Sequence, residues 1–136
     1  MPRMIFPNMA VADVERAKQF FSALGFSFNP QFTDHNAACM VVNELACVML
    51  LKAEFFRTFT TRTPVDTRTH LESLIAIELE SRDAVDAMVK TALANGGQPA
   101  MPPQDHGFMY QHSFLDPDGH QWEPFYMDPS HVQPMS

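Results

Sequence analysis

The sequence predicts an α+β fold in which a βαβββ module occurs twice. Three observations predict it: a strand pattern followed by a capped helical stripe, the return of that order in the second half, and an explicit hairpin turn near the end. A hydrophobic fraction of 46% over 136 residues is enough for the core of one such domain. The modules are expected at about residues 1–52 and 71–128, joined by a loop at 53–70.

The opening Met4 to Val11 reads as a strand, and Asp13 stands where a helix N-cap belongs. Val14, Ala17, Phe20, Phe21 and Leu24 follow at helical spacing until Gly25 stops the helix. Phe26 to Asn29 alternates apolar with polar, and Ala37 to Val42 and Ala46 to Leu51 are apolar runs of strand length around a turn at Asn43-Glu44. The Thr-rich stretch from Lys52 to His70 lacks sustained period and reads as a linker and candidate lid. Leu74 to Leu79 is then a strand, Ser81 a cap, and Val85, Met88, Val89, Ala92 and Leu93 a second stripe ending at Asn95-Gly96-Gly97. The caps precede Gly25 and Gly96 by 12 and 15 residues, so element order repeats more than letters do. Phe108 to Leu115 and His120 to Met127 are strands joined by Asp116-Pro117-Asp118-Gly119, where Pro presets an early turn position and Gly takes φ > 0. Neither short module buries both sheet faces alone, so the two are expected to join, helices outside and curved inner faces forming a cup in a mixed sheet.

A formal charge of -7 with nine Lys and Arg leaves no basic patch to neutralise phosphates, which excludes nucleic acid as a partner. No segment offers the roughly 18 apolar residues of a membrane helix, and the opening residues lack a signal peptide's apolar run, so a soluble cytoplasmic protein is expected. Cys39 and Cys47 suit neither a disulfide framework nor a zinc site and read as packing thiols. A loop of Asn43-Glu44 alone sets Cys39 opposite Val48 and turns Cys47 to the other face.

Two blocks carry a family resemblance. Val11 to Ala17 through Phe20 to Phe26 resembles the first helix of vicinal oxygen chelate proteins, the superfamily of glyoxalase I, bleomycin-resistance proteins and extradiol dioxygenases. Phe114-Leu115-Asp116-Pro117-Asp118-Gly119-His120-Gln121-Trp122-Glu123 resembles their final hairpin. Met4 to Asn8, Val48 to Leu51 and Tyr126 to Ser130 are similar to a bacterial branch of lactoylglutathione lyase-like proteins. The resemblance implies a glyoxalase/bleomycin resistance/dioxygenase fold, a small-molecule cup and a homodimer. It also implies a divalent ion, nickel, zinc, manganese or iron, acting as Lewis acid on substrate oxygens. Position by position it assigns the ion's protein ligands to Phe6, Leu50, Leu74 and Glu123, of which only Glu123 is able to bind a metal. Useful sites take three or more protein ligands, so no cofactor is expected.

The remaining chemistry gathers near the end of the chain, where His106, Tyr110, His112 and His120 accompany Glu123. Pairing of Leu115 with His120 puts His112 opposite Glu123, whereas a three-residue loop puts Ser113 there. A His112 and Glu123 pair supplies an acid and base in an apolar cup, or only satisfies two polar groups of a pocket. His106 and Tyr110 are candidate ligand contacts. Phe55, Phe56 and Phe59 on the linker suit either the cap of an apolar ligand or a buried contact. Trp122 and Tyr126 alternate with Glu123 and belong to the helix side.

Three functions follow. The first is binding of a small, partly apolar molecule in a cup with a degenerate metal site, favoured by 12 Phe and 10 Met. The second is a metal-dependent, glyoxalase I-like isomerase, and the third a metal-free lyase using His112 and Glu123 as acid and base.

Overall fold

The computed structural model describes residues 2–131. The chain divides between Val65 and Asp66 into two compact units. Each is a helix on a mixed sheet, which gives the α+β class with two βαβββ modules. No helix among the described residues is long and apolar enough to cross a membrane.

Unit 1 runs β1 (Asn8–Val11), α1 (Val14–Ala23), β2 (Ser27–Phe28), β3 (Ala37–Asn43), β4 (Ala46–Lys52), with sheet order β1-β4-β3-β2. Asp13 caps α1 by accepting the Arg16 N–H at 3.1 Å. The helix buries Val14, Ala17, Phe20 and Phe21 and packs on β3 and β4. Beneath it lies the row Met9, Val11, Ala38, Met40, Val48 and Leu50, all nearly inaccessible. Each large apolar side chain so buried stabilises the fold by roughly 1.5–3 kcal/mol.

The first hairpin corrects the expected register. Asn43 pairs with Ala46, so the turn residues are Glu44 and Leu45, and the ladder shifts by one between Val41 and Asn43. Asn43 Oδ1 accepts the Leu45 N–H at 2.8 Å, which moves the turn one residue along. Cys39 therefore pairs with Met49 and Cys47 with Val41, placing both thiols on one face instead of opposite faces. Both are buried and reduced.

The expected linker is partly helical. Ala53–Phe56 forms α2 and Arg57–Phe59 continues as a single 3-10 turn. The local bond from Thr58 Oγ1 to the Phe55 carbonyl, 2.7 Å, closes it, a short-range effect that leaves no periodic trace.

Unit 2 comprises β5 (Leu74–Glu78), α3 (Arg82–Ala94), β6 (Gln98–Pro99), β7 (Gln104–Asp105), β8 (Met109–Gln111), β9 (Phe114–Leu115) and β10 (Gln121–Met127). The strand expected from Phe108 to Leu115 is broken at His112 and Ser113 into β8 and β9. Both remain on β10 in one register, Gln111 with Phe125 and Phe114 with Trp122. On its other edge β10 runs parallel to β5, with Leu74 beside Gln121 and Ala76 beside Glu123. Helix α3, capped by Ser81 Oγ on the Ala84 N–H at 3.0 Å, packs on β10. It buries Val85, Val89 and Ala92, whereas Leu93 of the expected stripe stays exposed.

Candidate functional site

The final hairpin positions the site. Asp116 accepts N–H bonds from Asp118 at 2.9 Å, His120 at 3.0 Å and the Trp122 indole at 3.0 Å. Its own N–H donates to the His120 carbonyl at 2.9 Å, closing a three-residue loop of Pro117, Asp118 and Gly119. Gly119 sits at φ 92 against the Thr67 carbonyl, where any Cβ collides, so the loop tip accepts only glycine. Leu115 consequently pairs with Gln121, and continuing that ladder puts Ser113 opposite Glu123. Of the two registers open to the sequence, the structure has the three-residue loop, and His112 does not face Glu123.

Pleating then sorts the side chains of unit 2. Trp122, with 1% exposure, lies on the helix side, while Gln121 and Glu123 share the opposite face with Leu74 and Ala76. On that face is a hollow of about 210 Å³. Its polar lining is Gln104, Gln111, His112, Ser113, Gln121 and Glu123, and its apolar lining is Leu74, Met101 and Pro102. The Ser113 hydroxyl, buried, accepts the Met101 N–H at 2.8 Å and donates to the Met101 carbonyl at 3.2 Å, fixing one wall. Gln111 Nε2 donates to Gln104 Oε1 at 3.4 Å. His112 Nδ1 accepts the Ser113 N–H at 2.8 Å, so Nε2 is the proton-bearing nitrogen of the ring. Among the described residues no hydrogen bond joins His112 to Glu123, and the Glu123 carboxylate, half-buried, has no hydrogen-bond or ion-pair partner.

The structure thus brings His112 and Glu123 to one hollow and sets the other candidates elsewhere. Tyr110 belongs to the helix side: its hydroxyl donates to Asp86 Oδ1 at 2.6 Å, and the Arg82 guanidinium carbon lies 5.4 Å from its ring centroid. Hydrogen bonding to Asp86, with burial, pushes the Tyr110 phenol up to about 12. Arg82 also holds Asp105 at 2.8 Å and the Gly107 carbonyl at 2.8 Å, clasping the segment between β7 and β8, on which His106 is exposed. In unit 1, Phe55 and Phe59 stack edge to face at 5.1 Å, with Phe59 68% exposed and Phe56 partly buried. Gln104, Gln111 and Gln121 escaped sequence reasoning, which weighed titratable groups alone. The period-two spacing of Gln121 with Glu123 and of Gln111 with Ser113 is the signal that finds them.

The family-type ion does not fit this donor set. Ile5 bridges Ala46, and the same offset pairs Asn8 with Met49 and Met9 with Leu50. Phe6 therefore shares a face with Met49, whereas Leu50 lies in the row under α1. Two of the four positions project from opposite faces of one sheet, and Leu74 in unit 2 is apolar. Among the described residues no three His, Cys, Asp or Glu side chains gather to hold a metal.

Residues 3–43 match the family described as bleomycin resistance protein-like N-terminal. Solved structures match over nearly the whole chain. A hypothetical protein, SA1046 of S. aureus, shares 25% identity with TM-score 0.78, covering 93% of this chain and 95% of that one. A glyoxalase/bleomycin resistance protein/dioxygenase family enzyme of Burkholderia phytofirmans PsJN shares 17% identity with TM-score 0.76, covering 90% and 96%. A glyoxalase-related enzyme of Fulvimarina pelagi shares 17% identity with TM-score 0.79, covering 100% and 94%. No curated protein matches. The matched N-terminal segment carries the bleomycin resistance protein-like description, and over the rest of the chain the likeness to these glyoxalase/bleomycin resistance/dioxygenase structures is one of fold.

Proposed function

We propose that this protein binds a small, partly apolar molecule whose polar end rests on the Glu123 face of unit 2, without a family-type metal. One observation carries the reading: a hollow of about 210 Å³ combines one unpartnered carboxylate with three neutral amides, Ser113 and three apolar side chains. Concave sites of mixed lining with a few convergent polar groups are where small ligands bind, and this volume suits a head group or small fragment. Only one of the four positions that the resemblance assigns to the ion carries a donor. The isomerase reading therefore has no chelating ring to stand on.

Acid and base catalysis by His112 and Glu123 is the second reading, favoured by their presence in one hollow. The Ser113 N–H on Nδ1 makes His112 a donor through Nε2, so the two groups would act on substrate separately. Homodimerisation belongs to the proposal on family resemblance alone.

Thermal-shift screening of small amphipathic compounds against the wild type, Glu123→Gln and Gln111→Ala tests the binding reading. Stabilisation that weakens in both variants is expected. Hits that stabilise all three chains equally would remove the hollow from the function. Retention of one equivalent of nickel, zinc, manganese or iron by the wild type, lost in Glu123→Gln, would restore the metal reading. A bell-shaped pH profile of turnover abolished by either His112→Ala or Glu123→Gln would establish the second.

A further inference from the structure

We infer that the ligand of the unit 2 hollow presents a cationic nitrogen, an ammonium or amidinium group, to Glu123; this rests on the binding reading above and names its ligand class. Glu72, Glu78, Glu80 and Asp83 of the unit are exposed to solvent, and other carboxylates are already engaged. Asp66 is paired with Arg68 at 2.9 Å, Asp105 with Arg82 at 2.8 Å, Asp86 takes the Tyr110 hydroxyl, and Asp116 takes three N–H groups. Glu123, half-buried in a concave wall, holds none.

No Lys or Arg lines the hollow, so an anionic head group would meet Glu123 with only the His112 Nε2–H to offset the repulsion. The amide of Gln111 spends an N–H on Gln104, which leaves its Oε1 an open acceptor, and Gln121 contributes another. Two amide oxygens and a carboxylate are an acceptor set for the three N–H donors of an ammonium, and charge-assisted bonds of this kind are about twice as strong as neutral ones. A formal charge of -7 draws cations toward the chain from a distance. Leu74, Met101 and Pro102 supply the apolar wall for the carbon part of the molecule.

Amide chemical-shift titrations of the full chain with benzylamine, benzyl alcohol and benzoate at one pH test the inference. Benzylamine is expected to shift the Ser113 N–H and the side-chain amides of Gln104, Gln111 and Gln121. It is also expected to bind at least about tenfold more tightly than benzyl alcohol, with affinity falling as salt rises. In Glu123→Gln that preference disappears, the amine binding no more tightly than the alcohol. Equal affinity for amine and alcohol, an amine preference surviving in Glu123→Gln, or tighter binding of benzoate overturns the cation and leaves the hollow as a binding site. Failure of all three compounds to shift these groups overturns both.

Discussion

The Trp122 indole N–H donates to Asp116 Oδ2 at 3.0 Å, and both residues are buried. This bond ties the last hairpin loop to the strand that carries Glu123. Asp116→Ala strands two backbone N–H groups and the indole N–H, so a loss of roughly 3 kcal/mol is expected in urea unfolding. Asp116→Asn, which keeps one acceptor oxygen, is expected to lose less. A change within measurement error for Asp116→Ala would show that the loop holds its register without the carboxylate.

Arg82 organises the wall around Gln104. Its ion pair with Asp105 is solvent-exposed, so Arg82→Ala is expected to cost less than about 1 kcal/mol of global stability. Local protection should respond more. Hydrogen exchange at Gly107, whose N–H donates to Asp105 Oδ1 at 2.9 Å, is expected to speed up while that at Trp122 does not.

The Tyr110 phenol, raised by Asp86 to about 12, gives a pH signature. A folded value above the unfolded one means that the contribution is full below the ordinary tyrosine range and is lost as pH climbs through about 12. Ultraviolet titration of the native chain should show one phenol ionising near pH 12. In Asp86→Asn that transition should move down.

Burial first, and then the neighbouring Cys47 thiol, push the Cys39 thiol up to about 11. The nucleophile is the thiolate, so native protein at neutral pH is expected to react with a thiol reagent only as fast as it opens. Both thiols should be titrated at once in denaturant. Rapid native reaction at Cys39 would contradict the packing described for the β3 and β4 pair.

Gly97 lies where an added Cβ would stand 2.8 Å from the Ala92 and Leu115 carbonyl oxygens. Gly97→Ala forces the end of α3 away from β9, and a loss of about 1–3 kcal/mol is expected in thermal unfolding. A stability equal to the wild type would mean that this junction adjusts freely.

Much of the fold was legible because its signals are local. Asp13 and Ser81 announce helix starts, Gly25 and Gly96 adopt the positive φ expected of helix stops, apolar runs mark β3 and β4, and Trp122 and Tyr126 alternate with Glu123 along β10. The misreading of the first hairpin is a matter of one residue in register. The side chain of Asn43 moved the first turn, and that single step brought Cys47 to the face of Cys39. In the last hairpin two registers were open, and Asp116 decided between them by gathering the N–H groups of Asp118 and His120. The site was half legible. Glu123 stood out by family position, but the neutral amides around it carry no charge to attract notice, and their convergence depends on a register that periodicity alone does not choose.

Among the described residues of both units the first strand finds its only sheet partner in the last, β1 beside β4 and β5 beside β10. On the ribosome, β5 must wait as an unpaired ribbon until residues more than forty positions downstream have been made. A nascent chain halted before Gln121 would therefore have neither a closed sheet nor a wall for the hollow, and the capacity to bind would arise late and all at once.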